Sequence, residues 1–186
     1  MNVHIICSSR NKIDNSYKDV ARNVSHFLAT NNCDLVYGGG SQSMMGICYD
    51  EFSKMNRKIY AYTNAKYKDE LVDLPKAIYN LCETTFDLKK EMFQKCDLVV
   101  CLPGGLGTIS ELLSYIEEKR SNDKDVPIII YDEDGYYSEI LKFMEVMVDK
   151  KFNDDNICLN YAIAKNKEEL ETLFNKVRYN EKGRNK

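Results

Sequence analysis

Two runs in this chain, "DLVVCL" at 97–102 and "PIIIY" at 127–131, are apolar at consecutive positions rather than at alternate ones. A strand with one wet face alternates; a strand that does not must be covered on both faces, and that arrangement belongs to parallel sheets flanked by helices. Five further runs, "VHIIC", "DLVYG", "KIYAYT", "AIYNLC" and "ICLNYAIA", read as strands. Between them lie amphipathic stretches near 15–31, 43–55, 86–95, 107–120, 136–150 and 166–177 that read as helices. The pattern predicts an α/β fold, a Rossmann-like open parallel sheet with helices on both faces. At 186 residues one domain is expected, over 1–178, with a polar tail at 179–186 and a loop or lid at 64–76.

In such a sheet ligands bind where strands end and helices begin, because free backbone N–H groups and the positive end of a helix face outward there. Three loops fall at those ends: "CSSR" after the first strand, "YGGGSQSMMG" after the second, and "PGGLGT" after the fifth. They make Ser8, Ser9 and Arg10, then Gly39 and Gly40, then Gly104, Gly105, Leu106, Gly107 and Thr108 the candidate binding residues. Glycines at 104, 105 and 107 predict positive backbone angles and close approach to a ligand. Thr108 and Glu111 also satisfy the T-x-x-E capping pattern, so turn and cap chemistry alone remains open for this segment. The second loop is no dinucleotide fingerprint, because G-x-G-x-x-G laid on Gly38 and Gly40 meets Ser43, and no G-K-[ST] follows either glycine cluster. Met44 and Met45 read as helix-packing residues.

The balance of charge, 26 Lys and Arg against 29 Asp and Glu, argues against a broad basic face for nucleic acid while leaving room for a local anion pocket. Seven cysteines, none in C-x-x-C spacing and most within apolar runs, read as reduced thiols of a cytoplasmic protein. No segment approaches eighteen uninterrupted apolar residues, and "MNVHIICSSR" lacks a basic run followed by a long apolar one, so neither membrane spanning nor secretion is expected. Only His4 and His26 are present, without metal-ligand spacing, so carboxylates, backbone dipoles and cations are the expected catalytic means and no metal is expected.

"PGGLGTISE" and "YGGGSQSMMG" together resemble the paired signature of the Lonely-guy phosphoribohydrolases, once labelled lysine decarboxylases. "HIICSS" resembles that family's opening strand and loop, with Ser8 in place of a glycine, and "DEDGYYSEILKFMEVMVDKKF" resembles its late helix segment. The resemblance implies a homodimer that hydrolyses a nucleoside 5′-monophosphate to free base and ribose 5-phosphate. It implies that Gly104, Gly105, Gly107 and Thr108 cradle the 5′-phosphate, that Glu111 holds the ribose or positions water, and that Glu70 contacts substrate. Its catalytic lysine falls on Lys89, but its arginine falls on Leu88, so Lys89, Lys90 or Arg10 must supply the charge or turnover is lost. Glu117 stands where plant members carry threonine, and an altered base preference is expected from it. The alternative is a nucleotide sensor that binds without cutting. A pyridoxal phosphate enzyme, suggested by the old label, finds no lysine in a suitable context, and no cofactor is expected.

Overall fold

The computed structural model describes residues 1–64, 66–67, 74–121, 124–154, 157 and 160–184, with side chains described as far as residue 180. Seven parallel strands run β1 (Asn2–Ile6), β2 (Asp34–Tyr37), β3 (Ile59–Asn64), β4 (Ala77–Cys82), β5 (Leu98–Cys101), β6 (Ile128–Tyr131) and β7 (Ala162–Ala164). The helices are α1 (Asn15–Thr30), α2 (Ser43–Lys54), α3 (Thr85–Lys95), α4 (Leu106–Arg120), α5 (Ser138–Asp149) and α6 (Lys167–Arg184). The expected α/β fold is present as one open sheet in the order β4-β3-β2-β1-β5-β6-β7.

Alternate residues of the central strands feed two cores. Val3, Ile5, Leu35, Leu98 and Val100 face α1, α2 and α6, packing with Ala21, Met44, Phe52 and Phe174. Ile6, Val36, Val99 and Cys101 face the other way, against Met92 and Phe93 of α3, Leu112 and Tyr115 of α4 and Met144 of α5. β5 and β6 are buried at every position, which is what their unbroken apolar runs required. By the same alternation His4 points to the α3–α4 side, since its neighbours Val3 and Ile5 belong to the opposite core.

Strand order reverses between β1 and β5, which pair directly with Ile6 beside Cys101. The loops after these two strands therefore diverge to opposite sides of the sheet and leave a crevice at its carboxyl edge. β2 lies on the other side of β1, so the second glycine loop opens onto the same crevice.

Two boundaries differ from the sequence reading. The strand read within 157–164 is present at Ala162–Ala164, and α6 continues through Arg184, beyond the helix read near 166–177. The expected lid at 64–76 falls largely outside the described residues. No helix among the described residues is long and apolar enough to cross a membrane.

Candidate active site

A cleft of about 620 Å³ lies at the crevice, a size suited to a nucleotide-sized ligand. Its wall takes Cys7, Ser8, Ser9 and Arg10 from the first loop, Gly38, Gly39 and Gly40 from the second, and Gly105, Leu106, Gly107 and Thr108 from the third. α3 contributes Thr85, Leu88, Lys89 and Met92, and α4 contributes Glu111. Thr63, Asn64 and Tyr67 close the side beyond β3. Glu111 is the one carboxylate on this wall among the described residues, and Arg10 and Lys89 are its cations.

The helices that begin at the two glycine loops lack side-chain caps. α4 starts at N-cap Gly105 and α2 at N-cap Gln42, neither with a capping side-chain bond, whereas α1 is capped by Asp14 and α3 by a complete Thr84–Asp87 capping box. Thr108 and Glu111 thus form no capping box, because α4 begins two residues before Thr108. The first N–H groups of α4, at Leu106, Gly107 and Thr108, have no partner inside the helix and sit on the cleft wall, where a phosphate would satisfy them.

The glycines do not all act as expected. Among the described glycines positive φ occurs at Gly39 (71°) and Gly135 (69°), so Gly104, Gly105 and Gly107 are not there for left-handed backbone. Gly104 is needed because a Cβ would collide with the Thr108 side chain; it is buried behind the wall, and its carbonyl accepts from Tyr136 Oη at 2.8 Å. Gly105 and Gly107 line the cleft and have open space where a Cβ would stand. The Thr108 hydroxyl donates to the Cys7 carbonyl at 3.3 Å, tying α4 to the end of β1, so what Thr108 offers a ligand is its backbone N–H.

The first two loops brace each other. Ser8 Oγ accepts the Arg10 N–H at 3.1 Å, Ser43 Oγ donates to the Arg10 carbonyl at 2.7 Å, and Asn11 Nδ2 donates to Gln42 Oε1 at 2.9 Å. Ser43 holds a left-handed φ of 53° at the start of α2, a strained position for a side chain that this bond to Arg10 secures.

Glu111 is met from below by two residues that the sequence did not mark. His4 Nε2 lies 2.8 Å from Glu111 Oε1, and the Tyr115 hydroxyl, one turn along α4, donates to the same oxygen at 2.9 Å. His4 Nδ1 lies 2.9 Å from the Val36 carbonyl. Burial first, and then the Glu111 carboxylate, raise the Tyr115 phenol well above its ordinary value, so it remains a neutral donor.

The sequence profile of the family described as "possible lysine decarboxylase" matches residues 45–173. The cytokinin riboside 5'-monophosphate phosphoribohydrolase LOG1 of Arabidopsis thaliana is 32% identical over 150 residues, an alignment covering 78% of this chain and 68% of that protein. The chain belongs to the Lonely-guy family. The probable cytokinin riboside 5'-monophosphate phosphoribohydrolase LOGL6 of Oryza sativa subsp. japonica is 31% identical over 153 residues, 80% of this chain but 60% of its own length, so the chain spans about three-fifths of that relative. In fold it is similar to the molybdenum cofactor carrier protein of Chlamydomonas reinhardtii, with TM-score 0.71 at 13% identity over 96% of this chain and 98% of that one. It is likewise similar to the molybdenum cofactor binding protein of Rippkaea orientalis, with TM-score 0.69 at 16% identity over 95% and 96% of the two chains.

Several residues marked by the Lonely-guy resemblance fall on the cleft and others do not. Lys89 lines it, with Nζ donating to Ser110 Oγ at 2.8 Å, while Leu88 turns half-buried into the core beneath α3 and gives the wall an apolar patch. Lys90 is exposed and off the wall. Glu117, expected to shape the pocket, instead pairs with Arg120 on the exposed side of α4, with Oε1 2.6 Å from Nη2, and does not line the cleft. Glu70 lies outside the described residues.

Six of the seven cysteines, all but Cys158, are described and are free and buried, as their apolar contexts suggested. Among the described residues no group of three or more His, Cys, Asp or Glu side chains is placed to hold a metal ion. A second cavity, about 410 Å³, is lined by Asp97, Lys119, Lys124 and Lys176, and two of these lysines are engaged: Lys124 Nζ donates to the carbonyls of Phe93, Gln94 and Cys96, and Lys119 pairs with Asp125.

Proposed function

We propose that this chain hydrolyses the N-glycosidic bond of a nucleoside 5′-monophosphate, releasing free base and ribose 5-phosphate. The observation that carries the reading is the placement of the uncapped start of α4 and the carboxylate of Glu111 on one cleft wall, about one turn of helix apart. That separation suits a 5′-phosphate at the helix start and a ribose at the acid.

The chemistry follows from the parts. The phosphate, held by the N–H groups of Leu106, Gly107 and Thr108 with Arg10 and Lys89 on the same wall, anchors the sugar away from the reacting centre. As the bond from C1′ to the base nitrogen breaks, positive charge spreads over the ribose ring, and the Glu111 carboxylate stabilises it. Water adds to C1′, and one of its protons ends on the departing base. Relatives named cytokinin riboside 5'-monophosphate phosphoribohydrolases make such adenine nucleotides, with AMP, the first substrates to try. The apolar patch of Leu88 and Met92 suits a flat base or its hydrocarbon substituent.

The same reading takes the protein to be a homodimer in the cytoplasm. Leu106 and Leu113 on α4 and Phe143 and Val146 on α5 are exposed apolar side chains that a second copy would cover, and the free thiols suit a reducing compartment. Light scattering on the eluted protein tests the dimer: a monomer mass at micromolar concentration contradicts it.

Leu88 favours a second reading, a sensor that binds the nucleotide without cutting it, because no guanidinium stands where the resemblance places one. Incubating the protein with a panel of nucleoside 5′-monophosphates, and with the matching nucleosides, separates the two. Release of base and ribose 5-phosphate from the phosphorylated compounds alone supports the hydrolase. Binding with no release supports the sensor.

A further inference from the structure

We infer that His4 is the positioning residue of Glu111, an imidazolium whose Nε2–H holds the carboxylate aimed at the cleft. Its kinetic consequence rests on the hydrolase reading; its protonation state does not.

His4 is 1% exposed, and its two ring nitrogens face two acceptors, the Val36 carbonyl at 2.9 Å and Glu111 Oε1 at 2.8 Å. A carbonyl only accepts, so Nδ1 carries a hydrogen. One further proton must then lie between Nε2 and Oε1, and the imidazole, by residue type the more basic of the two partners, takes it in preference to the carboxyl. An imidazolium donates to both, and the buried charge is paired with the opposite one.

Tyr115 completes the unit. Its hydroxyl is 2.9 Å from Glu111 Oε1, 3.3 Å from His4 Nε2 and 3.1 Å from the Lys89 carbonyl, and the His4 and Tyr115 rings meet edge to face with centroids 5.6 Å apart. The phenol has one hydrogen, and directed at the nearer acceptor it joins the His4 N–H on Oε1, while Oε2 takes no hydrogen bond among the described residues and is the oxygen left for a bound ribose or water. Leu88 puts no cation in this part of the cleft; His4 brings one to Glu111 from β1 beneath it, on the same face of the sheet.

Nitrogen-15 spectra of histidine-labelled protein at neutral pH test the state directly, since the chain has only His4 and His26 and a His26→Gln variant assigns the signals. The expected result is protonation of both His4 nitrogens in the wild type, and loss of the Nε2 proton, with Nδ1 still protonated, in Glu111→Gln. A wild-type His4 with one protonated nitrogen, or a His4 signal unchanged by Glu111→Gln, overturns the inference. In turnover, His4→Gln, which keeps an amide but no charge, lowers kcat by about 10- to 100-fold with KM little changed. A His4→Gln enzyme that folds and turns over at the wild-type rate also overturns it. If the wild type cuts no nucleotide, the hydrolase reading fails while the spectra still decide the state of His4.

Discussion

Gly104 and Gly107 sit three residues apart and do different jobs, which makes them a paired test of the phosphate loop. A methyl group at Gly104 would strike the Thr108 side chain, so Gly104→Ala is expected to cost about 1–3 kcal/mol and to lower Tm by about 2–4 °C for each of them. At Gly107 the added methyl meets nothing within 4 Å, and Gly107→Ala is expected to leave stability unchanged or raise it by up to about 1 kcal/mol. Gly107 lines the cleft, so the added methyl is expected to lower nucleotide affinity about tenfold, a loss near 1.4 kcal/mol read by titration calorimetry. Stability and affinity that move together in both variants would contradict this division of labour. At this scale the sequence marked the glycine loop and Glu111, which line the cleft, but it suggested left-handed backbone at Gly104, Gly105 and Gly107 that the loop does not use. It could not show His4 beside Glu111, because 107 residues separate them and only the register of β1 under α4 brings the ring to the acid. An isolated histidine in a strand gives no local sign of such a partner.

Among the elements, α3 and α4 define the cleft together. Lys89 on α3 reaches Ser110 on α4, and the Tyr115 hydroxyl on α4 reaches the Lys89 carbonyl. Lys89→Ala removes a cation from the wall and is expected to weaken nucleotide binding by about tenfold, with a smaller loss at high ionic strength because salt screens the wild-type attraction as well. An affinity unaffected by the change at low salt would move the phosphate away from α3. The helix starts were legible in part. The Thr84–Asp87 box caps α3 in the usual pattern, yet the equally good pattern at Thr108 and Glu111 is not used, because α4 begins two residues earlier and Glu111 turns inward to His4. A capping pattern in sequence shows what a helix start can do; the position of the first turn decides whether it does.

For the whole molecule, the unbroken runs at 97–102 and 127–131 were enough to place β5 and β6 inside a doubly covered parallel sheet, since burial on two faces leaves no other composition. The ends of the chain were harder to read, as polar residues can continue a helix on a surface just as well as they can leave it, and α6 does continue. The same burial sets the response to alkali. Burial pushes the thiols of Cys96 and Cys101 up to about 12 and that of Cys33 to about 11, against an ordinary value of 9.0 in the unfolded chain. The unfolded state therefore loses these protons first, so stability is full below 9.0 and declines as pH rises toward 12. Tm should hold between about pH 7 and 8 and fall steadily above about pH 9; a Tm that holds or rises there would contradict the burial of these groups. The central claim is that this fold brings a phosphate site and one carboxylate together to cut a glycosidic bond. Its most direct test is the release of free base and ribose 5-phosphate from AMP and from cytokinin riboside 5'-monophosphates by the wild type and by Glu111→Gln. The account predicts release by the wild type and a loss of roughly 100-fold or more in the variant; equal release by both folded proteins, or none by either, would contradict it.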